Sequence, residues 1–157
     1  QKCSAASRAY VPISVWDSMG DDLVKEVEKI KMGDASDFSN FMNAVIDDRA
    51  FHKINGYIDR ARDDMDCEII TGGNSDDETG WFIEPTIILT KNPDSETMVE
   101  EIFGPVLTIY VYKDNDFEDV LNLLMFSFLI FLSSNSFFCF SSSIFFNFSK
   151  RSFSISS

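Results

Sequence analysis

The sequence predicts an α/β fold, a mainly parallel sheet flanked by helices. Two observations carry that expectation. Strand-like apolar runs alternate with stretches of helical periodicity from Gln1 to about Leu124, the pattern of chains whose strands pair side by side through helical crossovers. The clearest run, Val106–Tyr112, is apolar at most positions, as expected of a strand covered on both faces. A length of 157 residues suits one domain with a proper core.

The elements follow in order. Ala9-Tyr10-Val11-Pro12 reads as a short extended piece. Val15, Trp16, Met19, Leu23, Val27 and Ile30 then recur at three- and four-residue spacing, one face of an amphipathic helix. Gly33-Asp34 should end it. Asp47 is a suitable N-cap for a second helix, and Asp48 favours its first turn electrostatically. That helix should bury Phe51, Ile54, Ile58, Ala61 and Met65. Cys67–Thr71 reads as a strand closed by Gly72-Gly73, and residues 74–80 as a polar loop. Trp81–Leu89 is a further extended run in which Pro85 demands an edge or a break. After Val106–Tyr112, Asp116 can cap a last helix through Val120 and Leu123.

Charge and composition divide the chain at Leu124. All 26 acidic residues lie before Met125, and the net charge is −13. Such a surface repels phosphates and offers no basic patch, which argues against nucleic acid and anionic membranes as partners. Three cysteines, Cys3, Cys67 and Cys139, form neither a disulfide framework nor a zinc pattern, so a reducing compartment and no metal are expected. Residues 125–157 are built mainly from Phe, Ser, Ile and Leu, with Lys150 and Arg151 the only charges. Met125–Leu132 falls short of the about 20 apolar residues a spanning helix needs. T-rich DNA translates into this alphabet, so the segment is expected to be a low-complexity tail arising from noncoding read-through. If expressed, its aromatic runs would favour aggregation.

The residues able to carry chemistry lie at two places. Cys3, in Gln1-Lys2-Cys3-Ser4-Ala5, is a candidate nucleophile because a thiolate attacks carbonyl carbon and a thioester hydrolyses readily. Small neighbours at positions 4–6 permit close backbone approach. Taken alone, a cysteine beside a small-residue run is more often plain structure. Glu100-Glu101-Ile102-Phe103-Gly104-Pro105 joins acids and an aromatic to a turn directly before the strongest strand. A carboxylate there can accept hydrogen bonds from ribose hydroxyls, and an aromatic can flank a flat ring; alone, this too reads as an ordinary turn. His52 is expected on the surface, Asp59, Asp63, Asp64 and Asp66 on a solvated helix face, and Cys67 as a small core residue. Asp76-Asp77-Glu78 could hold a cation only weakly, lacking the calcium-loop spacing.

Together, in this order and at this separation, the two motifs resemble the catalytic half of NAD(P)-dependent aldehyde dehydrogenases. The resemblance covers residues 1–124 as a partial catalytic domain and is closest to the glutamate-semialdehyde branch. It rests on Gln1-Lys2-Cys3-Ser4-Ala5, Asn43-Ala44-Val45-Ile46-Asp47 leading to Phe51, and Gly80-Trp81-Phe82-Ile83-Glu84-Pro85-Thr86. It implies that Cys3 captures the aldehyde carbon, that hydride then passes to NAD, and that water releases the acid from a thioester. Glu101 would bind the nicotinamide-side ribose, Phe103 would pack beside the nicotinamide, and Ser4 would help hold the substrate carboxylate. The implied reaction oxidises L-glutamate 5-semialdehyde, formed when 1-pyrroline-5-carboxylate ring-opens, to L-glutamate in proline breakdown. The implied setting is a homo-oligomer, in the mitochondrial matrix of a eukaryote or otherwise the cytoplasm. The family's general-base Glu, oxyanion Asn and Rossmann domain precede the nucleophile, so the sequence reads as a C-terminal fragment that is inert alone. The competing readings are a dehydrogenase of another aldehyde, a non-catalytic interaction module, a membrane-anchored chain and a non-functional truncated product.

Overall fold

A computed structural model describes residues 1–133 and 143–145. Strand β1 (Arg8–Pro12) leads directly into helix α1 (Ile13–Glu28), and helix α2 (Asp48–Asp63) into strand β2 (Cys67–Thr71). Two short strands, β3 (Ser75–Asp76) and β4 (Phe82–Ile83), precede β5 (Thr86–Thr90), the single-turn helix α3 (Glu96–Val99) and β6 (Val106–Tyr112). A 3₁₀ turn at Asp114–Asp116 opens helix α4 (Phe117–Ser133), and β7 (Ser143–Phe145) completes the set.

Among the described residues the main sheet has the order β2-β5-β6-β1-β7, with the β2–β5 pair antiparallel and the other pairs parallel. The mainly parallel α/β expectation therefore holds. Side-chain alternation divides the core between the two faces of the sheet. Ala9, Val11, Ile87 and Ile109 meet Val15, Trp16, Leu23 and Val27 of α1. On the other face, Ile88 and Val106 pack with Phe51, Ile54 and Ile58 of α2, and Tyr10, Met98 and Tyr112 with Val120.

Helix α2 begins as its sequence requires. The Asp47 carboxylate accepts the Ala50 N–H at 2.8 Å, satisfying one of the free donors of the first turn. That bond holds the Asp47 pKa below the ordinary carboxylate value. Phe51, Ile54, Ile58 and Ala61 are buried as expected, joined by Tyr57, which lies between Ile54 and Ile58 on the same stripe.

Some expectations need correction. Met65 is 95% exposed, because the helix stops at Asp63 and the chain turns away before reaching it. Met19 is also exposed, and α1 ends at Glu28, short of Ile30. The polar loop of residues 74–80 contributes β3, which pairs antiparallel with β4. Pro85 marks a break between β4 and β5; it marks no edge, since β5 lies inside the sheet. The turn after β2 requires glycine. Gly72 has φ +74°, and a Cβ there would meet the Pro85 carbonyl oxygen at 2.1 Å.

Helix α4 runs on from the acidic region into the Phe/Ser-rich stretch as far as Ser133, and β7 pairs parallel with β1. The expectations for residues 134–142 and 146–157 lie outside the described residues. Among the described residues no helix is long and apolar enough to cross a membrane.

Candidate active site

Parallel pairing of β1 with β6, from Arg8 opposite Thr108 to Pro12 opposite Tyr112, decides where the chemistry gathers. The cysteine motif immediately precedes β1, and the Glu-Ile-Phe-Gly-Pro motif immediately precedes β6. Adjacent parallel strands start at the same end of a sheet, so both motifs lie there. Ligands of open α/β sheets commonly bind at the carboxyl ends of the strands; these two motifs sit at the amino ends.

Hydrogen bonds then fasten one motif to the other. The Thr108 N–H donates to the Ser7 carbonyl at 3.0 Å, carrying the ladder one residue beyond β1. Ser7 is 3% exposed, and its Oγ accepts the Ile102 N–H at 3.2 Å. The Arg8 guanidinium donates through Nη1 to the Val99 carbonyl at 3.0 Å and to the Met98 carbonyl. Gln1 spans the remaining gap. Its Nε2 donates to the Phe103 carbonyl at 2.9 Å, and its Oε1 accepts the Ile46 N–H at 2.8 Å.

Cys3 is exposed on a turn closed by the Ala5 N–H to the Lys2 carbonyl at 3.0 Å. Ser4 is exposed on the same turn, and Glu101 is half-buried. Phe103 is 44% exposed, whereas its neighbour Ile102 is buried in the core over α2. This alternation turns the Phe103 ring outward. Gly104 makes the close approach possible, since a Cβ would lie 2.5 Å from Ile54 Cδ1. The Pro105 carbonyl accepts the Thr86 N–H at 2.8 Å, which fixes the end of the motif to β5.

A hollow of about 80 Å³ opens beside Phe103, lined by Gln1, Lys53, Ile54, Tyr57 and Ile102 among others. Burial pushes the Tyr57 pKa up, with Glu100 and Glu96 acting in the same direction, so its phenol stays neutral. The lining joins an apolar wall to the Lys53 side chain and the outward-facing Phe103, and its size suits at most one flat ring. The volume is far below the several hundred Å³ of a complete ligand pocket, so a whole dinucleotide needs further surface. A larger hollow, about 350 Å³, lies among Glu28, Ile30, Met32, Gly72 and Glu84 and contains none of the expected site residues.

Sequence reasoning placed Cys3, Ser4, Glu101 and Phe103 in one site, and the fold brings their two segments together. It did not single out Gln1, Lys53 and Tyr57, which line the hollow beside Phe103. Lys53 and Tyr57 had a usable signal, lying on either side of buried Ile54 on α2. Away from this site, His52 is exposed and stands beside the Phe51 and Trp81 rings. Asp76 accepts the Glu78 N–H at 2.8 Å and a bond from Thr79 Oγ1, closing its own turn. Cys67 packs half-buried against the core, its thiol pKa pushed up mainly by burial. Among the described residues no group of three or more metal-ligating side chains comes together.

Residues 1–124 match the aldehyde dehydrogenase family model. Over 123 residues the chain is 55% identical to a mitochondrial Delta-1-pyrroline-5-carboxylate dehydrogenase of Dictyostelium discoideum, covering 78% of this chain and 22% of that one. The corresponding human protein is 46% identical over 125 residues, with 79% and 22% covered. Among solved structures, the Delta-pyrroline-5-carboxylate dehydrogenase of Mycobacterium tuberculosis bound with NAD superposes with a TM-score of 0.71 at 41% identity, covering 78% of this chain and 22% of that one. A betaine aldehyde dehydrogenase of Staphylococcus aureus in complex with NAD+ follows at TM-score 0.65 and 34% identity, with 71% and 23% covered. The chain thus spans about a fifth of the length of the relatives it matches.

Proposed function

This chain belongs to the aldehyde dehydrogenase family, and we propose that it supplies the nucleophile-bearing part of an NAD-dependent dehydrogenase oxidising L-glutamate 5-semialdehyde to L-glutamate. The observation that carries the reading is the fastening of the Cys3 turn to the segment of Glu101 and Phe103 through Gln1, Ser7 and Arg8. Names of relatives at 46–55% identity support the choice of substrate, and the NAD-bound neighbour supports the cofactor.

The division of labour follows from position and chemistry. Cys3 is exposed where an aldehyde can reach it; its thiolate attacks the carbonyl carbon, and the carbon–sulfur bond leaves an alkoxide that the backbone N–H of Cys3 helps to hold. Ser4, on the same turn, holds the substrate's carboxylate. Phe103 offers an outward ring to pack against the nicotinamide, and Glu101 accepts from the ribose hydroxyls. NAD, when bound, supplies the hydride acceptor. Collapse of the alkoxide with loss of hydride from the former aldehyde carbon leaves a thioester on Cys3, which water attacks, releasing the carboxylic acid and restoring the thiol. The family's general-base Glu, oxyanion Asn and Rossmann domain precede the nucleophile, so the 157 residues alone are expected to turn over no aldehyde.

The oxidation is placed in the second step of proline breakdown. The setting is the mitochondrial matrix if the source is a eukaryote, supported by the mitochondrial names of relatives, and otherwise the cytoplasm. A homo-oligomeric enzyme acting on a small-molecule aldehyde, with neither nucleic acid nor membrane as partner, completes the proposal.

The test is NADH formation from glutamate semialdehyde by a complete subunit carrying this segment, with betaine aldehyde as the comparison substrate. Cys3→Ala should lower the rate by at least about 10³-fold, as removal of a covalent nucleophile does elsewhere. Retained activity in that variant would remove Cys3 from the mechanism. Preference for betaine aldehyde would leave the family intact and overturn the substrate.

A further inference from the structure

We propose that Gln1 is a positioning residue that holds Phe103 in register with the Cys3 turn. The inference rests on the dehydrogenase reading for its purpose, because Phe103 matters there as the ring packing beside the nicotinamide. The contacts themselves stand independently of that reading. The carboxamide is used at both ends: Oε1 accepts from Ile46 on the loop before α2, and Nε2 donates to the carbonyl of Phe103 itself. Gln1 therefore joins three parts of the chain: the cysteine turn, the loop leading to Asp47, and the Phe103 segment.

The side-chain fastenings from Ser7 and Arg8 reach Met98, Val99 and Ile102, and among the described side-chain bonds it is Gln1 that reaches Phe103. Phe103 is the first residue past buried Ile102 and is followed by Gly104, the most permissive backbone residue. The peptide that follows Phe103 is held at its N–H, which Gly104 donates to the Ile102 carbonyl at 2.9 Å, and Gln1 holds the same peptide at its carbonyl. Only a side chain with an acceptor and a donor can satisfy both an N–H and a carbonyl. A glutamine provides both on a planar group two positions from the nucleophile. The same side chain lines the hollow beside Phe103, so its position also shapes the space next to the ring.

Two variants of similar length separate the roles. Gln1→Glu keeps an oxygen acceptor for the Ile46 N–H and, as a carboxylate, loses the donor to Phe103. Gln1→Met loses both. The measurement is NMR on the full chain, without cofactor or aldehyde, reading amide exchange at Ile46 and the ¹³C carbonyl shift of Phe103. Ser7→Ala, which removes a neighbouring bond of the same junction, serves as the control for general loosening.

The expected result has three parts. Gln1→Met should speed Ile46 exchange by about fivefold, the worth of one ordinary hydrogen bond, and move the Phe103 carbonyl signal. Gln1→Glu should keep Ile46 protected while moving the Phe103 signal. Ser7→Ala should reproduce neither pattern. An unmoved Phe103 carbonyl in Gln1→Met, or the same pattern in Ser7→Ala, would overturn the proposal. Because no turnover is involved, a failed dehydrogenase assay leaves this result readable, and a negative result here leaves the nucleophile assignment intact.

Discussion

Gly104 is where a single hydrogen atom decides the geometry of the site. A methyl group there would press on Ile54 Cδ1 at 2.5 Å and Cγ1 at 3.0 Å, and Ile54 is itself 3% exposed and packed. Gly104→Ala is expected to cost about 1–3 kcal/mol, the usual range for overpacking, measured by urea unfolding. It should also displace Phe103 from its hollow. The residues of the proposed site differ in how legible they were. Cys3, Ser4, Glu101 and Phe103 could be nominated because their motifs keep a familiar order. Gln1 lay inside the quoted motif and was passed over, since its role consists of two backbone contacts distant in sequence. No local pattern encodes such contacts.

Elements were legible wherever local chemistry determines them. Asp47 is an example: the N-cap was apparent from residue type, and the structure supplies the bond to Ala50 that it implies. Because this bond lowers the folded-state pKa of Asp47, its stabilisation is fully present above the unfolded carboxylate value of about 3.9. It is lost as pH falls through the depressed folded value. Asp47→Ala should therefore lower the melting temperature more at neutral pH than once both states are protonated, where the neutral carboxyl keeps an acceptor oxygen, while Asp47→Asn should be milder. Thermal melts across that pH range check both statements. Helix α3 was missed because four residues carry no period. Pairing of β3 with β4 was missed because Ser75-Asp76 has the composition of a loop. Met65 failed as a core residue because periodicity continues on paper after the helix has ended.

For the molecule as a whole, alternation of strand and helix carried the fold class, and the apolar strand Val106–Tyr112 proved to lie between two neighbours, β5 and β1. Strand order was not legible, since it depends on pairings between residues far apart in sequence. The charge of −13 has a consequence at this scale. Like charges repel in the compact state, and salt screens them over about 10 Å at 0.1 M. Added sodium chloride should raise the melting temperature; a fall would mean that local ion pairs such as Arg60–Glu96 outweigh the global repulsion.

The parallel β1–β6 pair also sets a timetable. A ribosome releases the cysteine turn and β1 well before β6, so their strand partner does not exist until Tyr112 has emerged. Contacts of such wide separation form slowly because a long loop must close before they give any return. During synthesis Cys3, the proposed nucleophile, is therefore an ordinary unplaced thiol, and its surroundings assemble only as the domain closes. The proposed site needs both strands in place, so a nascent chain that ends before β6 cannot display it.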